Sequence, residues 1–167
     1  MIVCTDANAG PTPPTGWTEE FDSSLNAVTI QLFHKIADGT ETDIDLGSTG
    51  QEVVAFWLRV SGAGAVDLYG LSSNSGTSHT ISGITTTVAN CLVIYGLAFD
   101  GADSATFNVT GTGFTQSDTG NSLNGGAGVG GTWGTKEQAV AGATGDATVT
   151  TTASDGSSSF QIAIAPA

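Results

Sequence analysis

Apolar and polar residues alternate with a period of two through much of this chain, the period of a strand half-buried in a sheet. Val28-Thr29-Ile30-Gln31-Leu32 alternates, with Phe33 on the opposite face, and Asp43-Ile44-Asp45-Leu46 alternates strictly. Phe107-Asn108-Val109, Ala147-Thr148-Val149-Thr150 and Phe160-Gln161-Ile162-Ala163-Ile164 repeat the pattern. Two segments, Glu52–Val60 and Asn90–Phe99, are near-continuous apolar runs, which predicts central strands covered on both faces. Helix-friendly residues are confined to Lys136–Ala141, with Gly134 and Gly142 close on either side.

Turn clusters separate these runs: Ala37-Asp38-Gly39-Thr40, Ser72-Ser73-Asn74-Ser75-Gly76, Asp100-Gly101-Ala102-Asp103 and Ser154-Asp155-Gly156-Ser157. Strands at this spacing predict an all-β fold. The architecture expected is an antiparallel β-sandwich, jelly-roll-like, with residues 1–167 forming one domain. Between Thr115 and Thr135 lie seven glycines, with Leu123, Val129 and Trp133 as the large apolar residues. This stretch reads as one long Gly-rich loop, and loops beyond about 12–15 residues inside compact domains are usually functional or mobile.

Charge narrows the function classes. Sixteen Asp and Glu against 3 Lys and Arg give a net charge of −13, yet a hydrophobic content of 39% supplies a core and argues against disorder. Three cations cannot neutralise a run of phosphates, so neither nucleic acid nor an anionic membrane is an expected partner. No segment approaches the ~20 apolar residues of a membrane span. The opening Met1-Ile2-Val3-Cys4-Thr5-Asp6 has no basic or long apolar region of a signal peptide. The expectation is a protein made in the cytosol with the Gly, Thr and Ser content usual in extracellular or virion β proteins.

Candidate chemistry is sparse. Asp43 and Asp45 share a strand face, and Asp100 and Asp103 bracket a glycine turn; neither pair supplies a calcium-loop pattern, so both read as solvated. His34 and His79 lie in no ligand spacing, and no G-x-S-x-G elbow accompanies the many serines. The glycines Gly125–Gly131 follow no strand and open no helix, so they read as flexible loop, not as a phosphate cradle. Cys4 and Cys91 fall in apolar strands and read as small buried hydrophobes. Of the tryptophans, Trp57 reads as core and Trp17, after Pro13-Pro14-Thr15-Gly16, as an inward lid. Trp133 reads as free to bind, and with Val129 and Leu123 it is the expected partner contact. No catalytic, cofactor-binding or metal-binding residue is assigned, and no enzyme activity is expected.

The order of short motifs carries a resemblance. Pro13-Pro14-Thr15-Gly16-Trp17-Thr18 is followed by His34-Lys35-Ile36-Ala37-Asp38-Gly39-Thr40-Glu41, then Trp57-Leu58-Arg59-Val60, Ala141-Gly142-Ala143-Thr144-Gly145-Asp146-Ala147-Thr148 and Ile162-Ala163-Ile164-Ala165-Pro166-Ala167. This order is similar to a β-sandwich domain that recurs in structural proteins of tailed phages and in some bacterial surface or secreted proteins. Trp57-Leu58-Arg59 stands where that family often has Tyr-Arg-Gly, and Phe160 where a tryptophan is common. The resemblance implies a virion structural protein and brings no catalytic residues. The function expected is a capsid decoration (cement) subunit on the outer capsid surface, bound to the major capsid protein. A tail-associated protein or a secreted carbohydrate-binding or adhesin module is the alternative. In such domains a further strand usually precedes the Pro-Pro-x-Gly-Trp turn; here only Ile2-Val3-Cys4-Thr5 does. A sheet edge left unpaired there predicts association with other copies, a homotrimer first and a dimer second.

Overall fold

The computed structural model describes residues 1–6, 10–39, 44–47, 51–101, 105–122 and 128–167. Among these there is no helix, and every sheet pairing is antiparallel. The first sheet is built from β1 (Ile2–Thr5), β2 (Thr18–Leu25), β3 (Val28–His34) and β4 (Val53–Phe56), in the order β2-β3-β1-β4. The second holds β5 (Ala63–Ile81), β7 (Cys91–Asp100), β8 (Phe107–Thr110), β9 (Thr115–Asn121), β10 (Val129–Gln138) and β12 (Ala147–Pro166). Its order is β5-β12-β7-β10-β9, with β8 beside the first part of β12. A short ribbon pairs β6 (Thr85–Thr86) with β11 (Gly142–Ala143).

The two sheets pack face to face as a sandwich. Ile2, Cys4, Phe21, Ile30, Leu32 and Phe56 of the first meet Ile94, Ala98, Val129, Phe160 and Ile162 of the second. Alternation sorts β3 as expected: Val28, Ile30 and Leu32 enter this core, while Phe33 joins Met1 and Val3 on the outer face. Trp17, Ile44, Leu46 and Val53 pack against that outer cluster. The sheets are not wired as a jelly roll, however. The chain completes the first sheet before starting the second, whereas a jelly roll needs strands that cross between sheets.

β5 and β12 give the second sheet a further layer. Their register breaks between Thr150 and Asp155, and before that break β12 also pairs with β8. This arm lies over the outer face, where Ile81, Phe107, Ala147 and Val149 pack on Tyr95, Leu97 and Phe99 of β7. The apolar run Cys91–Phe99 is therefore covered on both faces, as its sequence predicts. Glu52–Val60 is not: only Val53–Phe56 is strand, at the sheet edge, and Trp57 is 51% exposed.

Three other expectations are corrected. β1 is no edge; it is fully paired between β3 and β4. The serine clusters Ser72–Gly76 and Ser154–Ser157 are not hairpin turns but parts of β5 and β12. Serine suits these strands because hydroxyls satisfy one another, Ser72 Oγ with Ser159 Oγ across the strand pair at 2.9 Å and Ser23 Oγ with Ser158 Oγ between the sheets at 3.1 Å. Finally, the loop expected from Thr115 to Thr135 is strand at both ends, β9 pairing β10 through Gly130↔Asn121 to Thr135↔Thr115. Glycine is required there by close approach. A Cβ on Gly131 would sit 2.9 Å from Cys4 Sγ and 3.0 Å from Phe56 Cε2, and one on Gly134 would fall on Thr115 O and the Tyr95 hydroxyl.

Candidate functional site

The expected partner contact disperses. Val129 is fully buried in the core, and Trp133 lies half-buried on β10, packed against that core. Leu123 lies outside the described residues, as do Asp43 and Asp103.

The tryptophans that do come together are Trp17 and Trp57. The turn before Trp17 is closed by its N–H donating to Pro14 O at 3.0 Å, with Gly16 at φ +83. That turn lays the Trp17 indole against the outer cluster of Met1, Val3 and Phe33, which agrees with the lid reading. Phe56 at the end of β4 enters the core, so the next side chain, Trp57, must point away from it. The two rings meet edge to face at 5.5 Å and 73°. An open cleft beside them is lined by Pro14, Thr15, Trp17, Ile44 and Asp45. Asp45 Oδ1 accepts the Gly47 N–H at 2.7 Å, which fixes the carboxylate at the rim. Among the described residues the lining carries a hydroxyl, a carboxylate and an indole but no cation, a set suited to an uncharged, hydroxylated ring.

A Ser–His contact also exists, and its setting decides its meaning. His79 Nδ1 is 2.8 Å from Ser157 Oγ, and Nε2 is 3.3 Å from Thr151 Oγ1. Thr151 Oγ1 donates to Ala153 O at 2.7 Å and Ser157 Oγ to Asn74 O at 3.4 Å, so both ring nitrogens of His79 meet hydroxyls that are themselves tied to the backbone. A nucleophile needs room for a substrate beside it, and both Ser157 and His79 have zero exposure beneath the Phe99 ring. The pair joins the folded-over arm to β12. Burial lowers the His79 pKa, which favours the neutral form of the imidazole in the fold. Its contribution to stability is intact above the ordinary histidine range and is lost as pH falls through the lowered value.

Three carboxylates meet that no local motif announces. Asp100 at the end of β7 faces Asp6, just after β1, and Asp155 of β12. Burial first, then the charges of Asp155 and Asp6 and a hydrogen bond with Asp6, push Asp100 up to about 6. Among the described residues no group of three His, Cys, Asp or Glu is arranged to hold a metal ion. Cys4 and Cys91 are both buried and unpaired, Cys4 in the core between the sheets and Cys91 on the outer face of β7.

Asp100 yields a signed prediction. Its folded pKa lies above the unfolded value, so its stability contribution is present below about pH 4 and lost as pH rises through about 6. A displacement of that size is worth about 3 kcal/mol for a group sealed from water, and partial solvation reduces it to about 1 kcal/mol. Asp100→Asn should therefore raise the urea midpoint at pH 8 and leave it unchanged at pH 4. An equal gain at both pH values would remove the carboxylate cluster as the cause.

Neither a family model, nor a curated protein sequence, nor a solved structure matches the chain.

Proposed function

We propose that this chain is a non-enzymatic structural protein of a tailed-phage virion, a decoration subunit held on the capsid exterior by the major capsid protein and by copies of itself. The observation that carries this reading is where the polar chemistry lies. Hydroxyl, amide and imidazole groups that could converge on a substrate instead join strands and layers: Ser23 with Ser158, His79 with Ser157, and Thr144 with Gln161 at 2.7 Å. The groups in these contacts are all buried. The order of motifs from Pro13 to Ala167 adds the resemblance to phage structural domains. A net charge of −13 suits an outward-facing position, because packaged genome would repel it from the inner wall. Purified virions should carry the protein at a fixed copy number, with gold-labelled antibody on the heads. Label confined to tails, or particles lacking the protein, would end this reading.

The Trp17–Trp57 corner, where Trp57 is exposed beside the half-buried Trp17, favours a second reading, a carbohydrate-binding module. An uncharged oligosaccharide stacked on this corner should quench tryptophan fluorescence, and Trp57→Ala should weaken binding by about tenfold, as expected for one lost aromatic contact. A glycan panel that leaves the wild-type fluorescence unchanged would dismiss it.

A further inference from the structure

The end strands of the two large sheets differ in how they are guarded. β2 carries Glu19, Glu20 and Asp22, a charged border that repels a neighbouring acidic copy. β4 is four residues long, and its Val54 and Phe56 side chains lie against Gly120 of β9, so these two edges flank each other. β5 is different. From Ala63 to Gly76, before the arm folds over, it forms the margin of the second sheet, and the whole strand contains one formally charged side chain, Asp67, with no Lys, Arg, Glu or Pro. Asp67 is already engaged, accepting the Thr87 N–H at 2.7 Å. Tyr69 and Leu71 on this strand are 42% and 41% exposed. They share a face, because their partners Ile162 and Phe160 both enter the core between the sheets. Tyr69 stacks on Phe21 at 5.1 Å, so the apolar rim continues from the core to the surface.

From this we infer that β5 pairs antiparallel with β5 of a second copy, across a two-fold axis at Leu71. Charge selects the occupant. A basic strand would gain at the acidic border of β2 and finds along β5 only Asp67, already engaged by Thr87. A strand nearly free of charge and of matching length fits, and β5 is one. With Leu71 opposite its own counterpart, Tyr69 faces Ser73 and Asp67 faces Ser75. The two Asp67 carboxylates then stand about 27 Å apart along the strands, beyond the screening length at physiological salt. Leu71 meets Leu71, the tyrosines cover them diagonally, and the second sheet runs continuously through both copies. A strand pairing with itself closes on a two-fold, so this edge gives the dimer and not the trimer. The inference rests on the self-association in the proposed function and gives it a surface.

Sedimentation of the intact chain across the micromolar range is the test. Wild type should dimerise, more tightly as salt screens the two acidic bodies. Leu71→Lys places two ammonium groups together at the axis and should weaken dimerisation at least tenfold, with an unchanged circular dichroism spectrum. Leu71→Cys should cross-link through a short bis-maleimide, while Val140→Cys, exposed and outside β5, should not. A wild-type monomer throughout the range overturns both this inference and self-association. A dimer that survives Leu71→Lys and escapes cross-linking at position 71 overturns the β5 interface alone. Attachment to virions is scored separately by co-sedimentation with capsids, so a failed interface and a failed virion assignment give different results.

Discussion

Phe160→Ala is expected to destabilise the fold by about 3–5 kcal/mol, the range for emptying a fully buried aromatic site. Phe160 has zero exposure and sits where the two sheets are pressed together. Its ring occupies the space a side chain at Gly96 would need, with Cζ 2.9 Å from that missing Cβ, and it tilts against Phe21 at 4.9 Å. Phe21 in turn supports Tyr69, so the void would loosen β2, β5 and β12 together. Little can collapse into it, because strands hydrogen-bonded on both sides hold the backbone. A thermal melt should show a fall of roughly 10 °C, given about 2–4 °C per kcal/mol for a chain of this size. A loss below about 1 kcal/mol would place the ring outside the core.

Gly134→Val should be nearly as damaging, costing about 3 kcal/mol. The added side chain would strike a backbone carbonyl, Thr115 O, and the Tyr95 ring, with Cε1 2.7 Å from the new Cβ. Thr115 is held by its pairing with Thr135, and Tyr95 is fully buried, so neither can withdraw cheaply. A glycine in a solvated loop would accept valine at almost no cost. Urea unfolding of this one variant thus separates a strand from a loop over the second half of the segment 115–135. A change within about 0.5 kcal/mol would return that segment to a loop.

The sheet architecture was legible wherever side chains report on both faces of a strand. β3 and the second half of β12 alternate, and β7 is apolar on successive residues, and all three lie where those patterns require. The glycines of β9 and β10 are not legible as strand in the sequence because a missing side chain says nothing of its reason. Turns and ring-covered strands both call for glycine, and the rings here, Phe56 and Tyr95, come from remote positions. Serine misled in the same way, since a hydroxyl that caps a turn also bridges two strands. Trp57 looked central because its neighbours are apolar, but β4 stops at Phe56 and has no strand beyond it. The candidate sites share this long-range origin. Trp17 with Trp57, His79 with Ser157, and Asp6 with Asp100 and Asp155 are each assembled across the fold, and no local spacing encodes them.

The place of β12 constrains how the protein can be made. During translation the first sheet is complete once Phe56 has left the ribosome, because β1 to β4 are consecutive in the chain. The second sheet has no such option. β5 and β7 are held together only through β12, which is synthesised after every other strand of that sheet. Until then the nascent chain displays β5 with both edges open and β7 with one face of its apolar residues uncovered by the arm. Pairings as distant as Ala63 with Pro166 must form late, and topologies dominated by such contacts fold slowly. Chains released before residue 147 should therefore aggregate rather than fold, and chaperone demand should peak during the interval between β7 and β12.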